Sequence, residues 1–189
     1  MKLVTFSLFC FAAPALFGQA TPPTVARLYD GPVANAGREM ISLAEAMPPA
    51  AYGFAPKNGA FKDVRTFAQQ AKHTAAVLYM VSSAILGEKP PVDIGDENGP
   101  ASVNSKEQVV QFLKDAFAYG HKAMLTMTAE NQTGMVASPF GSNQTSRGAL
   151  ASEAAWHSFD HYGQMVVYAR MNNVVPPASQ PQPPAQKKK

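Results

Sequence analysis

The sequence predicts an all-α protein organised as a four-helix bundle. Four stretches of roughly 20 residues carry apolar side chains at helical spacing, and no stretch of useful length alternates apolar and polar residues as a strand would. Polar connections that contain Gly or Pro separate the four stretches. The length left between the two ends of the chain, about 150 residues, suits one domain of ordinary size.

The first two helices are bounded by clear stop signals. The first is expected over 24–47, and the pair Pro48-Pro49 ends it because proline cannot continue a helix. The second is expected over 63–86, with Gly87 as a C-terminal cap that can adopt the left-handed conformation.

The last two helices follow longer polar connections. The third is expected over 105–130, where the Ser105 hydroxyl can cap the helix and Gln108 completes the spacing of a capping box. The fourth is expected over 145–172, and its apolar stripe contains two histidines.

Residues 1–20 have the composition of an export signal. Lys2 gives a short positive start, and an apolar stretch runs over 3–17. The small residues Gly18 and Ala20 occupy the positions before a cleavage site that a signal peptidase recognises. The apolar stretch is shorter than the roughly 20 residues of a membrane span. We therefore expect cleavage after Ala20, a periplasmic or extracellular location, and no membrane span in the mature protein.

The cysteine content excludes thiol chemistry in the mature protein. Cys10 is the only cysteine and lies inside the predicted signal peptide. After its removal, neither a disulfide nor a catalytic cysteine nor a cysteine metal ligand is available. The mature domain, expected over 21–177, must then be stabilised by its core.

The positive charge of the chain comes from its ends. Residues 178–189 are rich in Pro, Gln and Lys, have no large apolar side chain to bury, and are expected to form a disordered tail. The whole chain has a formal charge of +3, whereas removing four terminal lysines leaves 12 basic and 13 acidic residues. This balance predicts no nucleic-acid partner. The four lysines are Lys2, Lys187, Lys188 and Lys189.

The spacing of His157 and His161 is the feature that carries chemistry. Residues four apart lie on one face of an α-helix, one turn apart, so both imidazoles can reach one metal ion. Each ring would also be costly to bury among apolar neighbours without a polar partner. The pair alone leaves two readings open: a metal site, or two hydrogen-bonded core histidines.

His73 on the second helix favours the metal site. It shares an inward-facing stripe with Gln70 and Val77, so its imidazole can meet the pair inside the bundle. Three histidines that leave one position open resemble the ligand set of a catalytic zinc centre. We expect a divalent ion, zinc or nickel, bound by His73, His157 and His161.

Other polar residues near the pair receive lesser roles. Gln164 lies three residues after His161 and is expected to orient a bound water, while Asp160 is expected to accept a hydrogen bond near the ligands or to be a surface charge. His121 on the third helix has no histidine one turn away. We expect an ordinary, partly buried role for it rather than metal binding.

The chain resembles the DinB-like (DinB/YfiT) metalloenzyme family, and its secreted members in particular. The resemblance rests on a histidine in the second helix, here His73, and a His-x-x-x-His pair in the last, here His157 and His161, followed by Gly163-Gln164. It covers about 24–177, including the aromatic loop Tyr52-Gly53-Phe54 and the segment HSFDHYGQMVVYARMN that begins at His157.

The resemblance implies a four-helix bundle with a three-histidine divalent metal site in a cleft, and a possible homodimer. Relatives include metal-dependent transferases that activate small thiols and a metal-dependent isomerase of the maleylpyruvate type. Two functions follow as hypotheses: a metal-dependent enzyme, transferase- or hydrolase-like, that acts on an unidentified small molecule, or a non-catalytic envelope protein that binds a ligand or partner and retains a structural or vestigial metal site. Export disfavours a thiol transferase, because cytosolic thiol cofactors are scarce outside the cell membrane.

Overall fold

The computed structural model describes residues 22–96 and 98–181. The predicted signal peptide, 1–20, lies outside the described residues, as does 182–189 of the predicted tail. The predicted boundary near residue 177 falls in a 3-10 turn, Pro177–Ser179, that follows the last helix.

The described part of the chain folds into four α-helices, as the sequence predicts. Each begins at a Thr or Ser whose side-chain oxygen accepts a hydrogen bond from a backbone N–H of the first turn, which satisfies a donor that has no partner within the helix. The helices are α1 (Val25–Ala46), α2 (Phe67–Leu86), α3 (Lys106–Met124) and α4 (Arg147–Met171).

Two helix ends differ from the prediction. Helix α2 begins at Phe67 rather than near residue 63, because Asp63 has a left-handed backbone (φ 61°) and Thr66 forms a capping box with Gln69. Helix α3 ends at Met124, six residues before the predicted end near residue 130. Beyond it, the backbone and side chains of Thr128 and Asn131 hydrogen-bond each other in a turn, which competes with a continued helix.

The helices pack in a ring in which α1 and α2 lie diagonally opposite. Helices α1 and α2 each contact α3 and α4 along their length. Two glycines allow close approach: a Cβ built on Gly37 of α1 would lie 2.8 Å from the Phe117 ring, and one on Gly120 of α3 would lie 2.9 Å from Leu78. All four helices contribute side chains to the shared core, and α2 and α4, which carry the histidines, pack against each other.

A short β-hairpin lies between α3 and α4, where the sequence predicts no strand. Strands β1 (Met135–Ala137) and β2 (Gln144–Ser146) pair antiparallel, with Met135 opposite Ser146. Three residues are too few for the alternation of apolar and polar residues to be recognised in a sequence. The hairpin contacts α2 and α4 and so closes over the bundle beside the histidines.

No helix within the described ranges combines the length and the apolar composition that a membrane span requires.

Candidate metal centre

Helices α2 and α4 bring the three predicted histidines together. His73 projects from α2, and His157 and His161 project from successive turns of α4. The Nε2 atom of His157 lies 3.2 Å from Nε2 of His73 and 3.2 Å from Nε2 of His161. The three residues form a group whose potential ligand atoms all lie within 4.8 Å of one another.

This spacing fits a shared divalent ion. Imidazole nitrogens bound to a tetrahedral zinc at about 2.0–2.1 Å are about 3.3–3.4 Å apart. The two 3.2 Å separations are close to that value. Neutral imidazoles placed with their ring nitrogens this near one another need a proton or a cation between them, because facing lone pairs repel.

The surroundings keep His157 and His161 in the neutral form that a metal requires. Burial, reinforced by the neighbouring imidazoles, lowers the pKa of His157 to about 3. Burial, together with His73 and Arg65, lowers the pKa of His161 to about 4. Both rings therefore carry free lone pairs at neutral pH, and a metal would not have to displace protons from them.

A chain of hydrogen bonds determines which nitrogen of His161 carries its proton. The Asp160 carboxylate can only accept, so the Gln164 amide N–H donates to it at 3.1 Å. Gln164 Oε1 then accepts from Gln70 Nε2 at 2.9 Å, and Gln70 Oε1 faces His161 Nδ1 at 2.6 Å. His161 Nδ1 must donate this last bond, which leaves Nε2 unprotonated and directed at the other histidines.

Gln164, which was expected to orient a bound water, connects to the centre through Gln70. Gln164 is two hydrogen bonds away from His161 and contacts it through Gln70. Asp160, expected either to accept a hydrogen bond or to be a surface charge, is an exposed residue that accepts from Gln164. Gln70, noted in the sequence only as part of the inward stripe, makes the direct bond to the histidine.

A pocket of about 510 Å³ opens beside His73 and His157. Its walls come from α2, from the connection after it, from the hairpin and from α4, and are mainly apolar. Glu153, one turn before His157 on α4, also lines the pocket, although it was not among the predicted site residues. Its position four residues before His157 was the available signal, since that spacing places both side chains on one face.

His121 lies outside the centre, as expected, but it is not partly buried. It is exposed on α3, where its Nδ1 atom lies beside the Asp30 carboxylate of α1. The expectation of partial burial is wrong because position 121 lies on the solvent side of the contact between these helices.

Fold and site together define a helical-bundle protein with a three-histidine candidate metal centre. The family model described as the DinB superfamily matches residues 34–165, and the chain belongs to this superfamily. The match includes all three histidines, Gln70, Glu153 and Gln164.

A crystal structure of a DinB-like protein from Bacillus cereus ATCC 10987 has the same fold. It superposes with a TM-score of 0.64 at 15% sequence identity, over 79% of this chain and 93% of that one. The comparison with curated proteins gave no significant match.

Proposed function

We propose that this protein is a metal-dependent enzyme, transferase- or hydrolase-like, that acts on a small molecule. The observation that carries the proposal is the convergence of three imidazole nitrogens, two of which belong to residues that line a pocket, His73 and His157. A structural zinc site is closed by four protein ligands, whereas three histidines beside a pocket leave room for a substrate or water.

The protein's own contribution is to hold and orient the centre. His73, His157 and His161 would bind the ion, and Gln70 fixes the ring of His161. A divalent ion bound there would lower the pKa of a water or thiol, or polarise a carbonyl group. Imidazole ligands favour zinc or nickel, with zinc the simpler choice for a tetrahedral site.

Elemental analysis tests the proposal directly. We expect one equivalent of zinc or nickel in the purified chain, after reconstitution if necessary, and loss of that metal in His157→Ala with the helical circular dichroism retained. His121→Ala, which removes an exposed histidine outside the cluster, should keep its metal. Reconstituted wild-type protein without stoichiometric metal would contradict the proposal.

A second candidate function is non-catalytic binding of a partner in the cell envelope, with the metal stabilising the bundle. An exposed apolar face between α1 and α4 favours it, formed by Leu28, Trp156 and Phe159. Turnover of any of a panel of small electrophiles, abolished by chelation, would exclude this alternative. Sedimentation analysis would tell whether the partner is a second copy in a homodimer.

Export is part of both proposals. The charge and apolar pattern of residues 1–20 supports cleavage after Ala20 and a periplasmic or extracellular location. Mass spectrometry of the secreted or periplasmic chain tests this, since a processed protein would begin at Thr21. An intact N-terminus in the exported fraction would contradict it.

A further inference from the structure

We propose that Glu153 is the proton acceptor of this site, and that the site takes uncharged ligands with an apolar body and an acidic O–H or S–H group. The proposal rests on the proposed metal-dependent function and adds to it a catalytic residue and a class of ligand. It comes from the position of Glu153, its surroundings and the charge of the pocket.

Glu153 lies on the same stripe of α4 as the two histidines. Glu153, His157 and His161 are spaced four residues apart, so their side chains follow one another along one face of the helix. Residues at this spacing have Cβ atoms about 5–6 Å apart. A ligand group that meets the histidine nitrogens from the pocket is therefore within reach of the Glu153 carboxylate.

The Glu153 side chain is available for proton transfer. Within the described residues, it makes no hydrogen bond or ion pair, and burial raises its pKa. The other carboxylate at the pocket, Asp96, accepts a hydrogen bond from the Asn98 backbone N–H at 2.7 Å and so stabilises its own loop. A carboxylate with a raised pKa and no competing partner suits a general base.

The remaining walls explain why the proton would pass to Glu153 rather than to water. Met80 of α2, Ile94 of the following connection and Phe140 of the hairpin contribute apolar surface to the pocket. An organic ligand that covers these side chains would exclude water from the space between its acidic group and Glu153.

The charge of the pocket selects the class of ligand. Two carboxylates, Glu153 and Asp96, line it, and no lysine or arginine does so among the described residues. A divalent ion held by the three neutral histidines would balance these two negative charges, so a neutral acid leaves the site uncharged overall, whereas a preformed anion would add an unbalanced negative charge. On binding, the O–H or S–H bond breaks, its electron pair remains on the ligand atom, and the proton moves to the Glu153 carboxylate. The charge of protein and ligand together does not change.

Benzohydroxamic acid is a suitable probe because it is neutral at pH 7, carries an acidic group that binds metals, and has an apolar ring. Its binding to the zinc-loaded full chain should be measured by titration calorimetry in two buffers of different protonation enthalpy, which yields the number of protons released. We expect wild type to release almost none, since Glu153 retains the proton. Glu153→Gln should release about one and bind about tenfold more weakly, because a charge-assisted hydrogen bond is lost.

A matched control variant separates the possible outcomes. Glu45→Gln removes an exposed carboxylate on α1, outside the pocket, and should behave as wild type. The proposal is overturned if wild type releases a full proton, if Glu153→Gln matches wild type, or if the zinc-loaded protein does not bind the probe. Failure of the reconstituted protein to bind either zinc or nickel would instead overturn the proposed function, and this proposal with it.

Discussion

The Nδ1 atom of His161 lies 2.6 Å from Oε1 of Gln70, so a side chain of α2 sets the protonation of a ring on α4. The amide of Gln70 is itself oriented by Gln164, and Gln164 by the carboxylate of Asp160. The negative charge of Asp160 thus acts on His161 through two amides. An imidazole that donates to such an acceptor becomes a better ligand through its other nitrogen.

We predict from this relationship that Gln70→Leu weakens zinc binding. Leucine fills a similar volume at this buried position but cannot accept the His161 proton. The dissociation constant, measured by competition with a chromogenic chelator, should rise about 10- to 100-fold, as is typical when a residue that orients a ligand is lost.

Two further variants serve as a comparison and a control for that measurement. Gln164→Ala removes the outer amide and should weaken binding less than Gln70→Leu does. Gln111→Leu, an equivalent change at an exposed position of α3, should have no effect. Equal affinities in wild type and Gln70→Leu would mean that the hydrogen bond does not support the centre.

Metal removal should destabilise the folded protein. A ligand that binds only the native state adds about 2.7 kcal/mol at a free concentration 100 times its dissociation constant. For a domain of this size, that corresponds to a rise in Tm of about 5–10 °C. Differential scanning calorimetry of chelated and zinc-loaded protein checks this value, and His157→Ala should melt at the same temperature with and without zinc.

The helices and the histidine cluster could be predicted because their signals are local. Ser105 with Gln108 forms the predicted capping box at the start of α3, Gly87 ends α2 in the left-handed conformation (φ 71°), and both motifs lie within a few residues of the helix ends they define. His157 and His161 meet through helical spacing alone. The position of His73 on the inward-facing stripe of another helix was enough to predict that its ring meets the other two.

The features that were missed depend on how α2 and α4 face each other. Gln70 is 91 residues from His161 in the chain, and nothing in either segment indicates that they touch. A glutamate on a helix, such as Glu153, usually faces solvent. Its burial depends on the connection after α2 and on a hairpin whose strands have three residues each.

Two Gly→Ala substitutions should have opposite effects on stability, because one glycine lies in the close contact of α1 with α3 and the other lies on an open face of α4. At Gly37 the new methyl group would lie 2.8 Å from the buried Phe117 ring, so Gly37→Ala should lower the free energy of unfolding by about 1–2 kcal/mol. At Gly163 on α4 no atom outside its chain neighbours and the local helix backbone lies within 4 Å of the added Cβ. Gly163→Ala should therefore stabilise the protein by about 0.5–1 kcal/mol through helix propensity. Urea denaturation of both variants measures the difference, and a stabilised Gly37→Ala would contradict the packing.

The stability of the metal-free protein should fall as the pH is lowered from about 6.5 to about 4. An unfolded chain protonates both histidines near pH 6.5, whereas folding lowers the pKa of His157 to about 3 and that of His161 to about 4. Between these values the unfolded state binds more protons, so the free energy of unfolding decreases with decreasing pH. The contribution of the pair is fully present above pH 7. Near pH 5 we expect a loss of about 1 kcal/mol per pH unit, which is less than two fully buried rings would give because solvent screens the part-exposed His157.

Urea denaturation of chelated protein at pH 7, 6, 5 and 4.5 measures this dependence. His161→Gln, which removes one titrating ring but keeps a polar partner for Gln70, should lower the slope, and an unchanged slope would show that the acid sensitivity arises elsewhere in the chain.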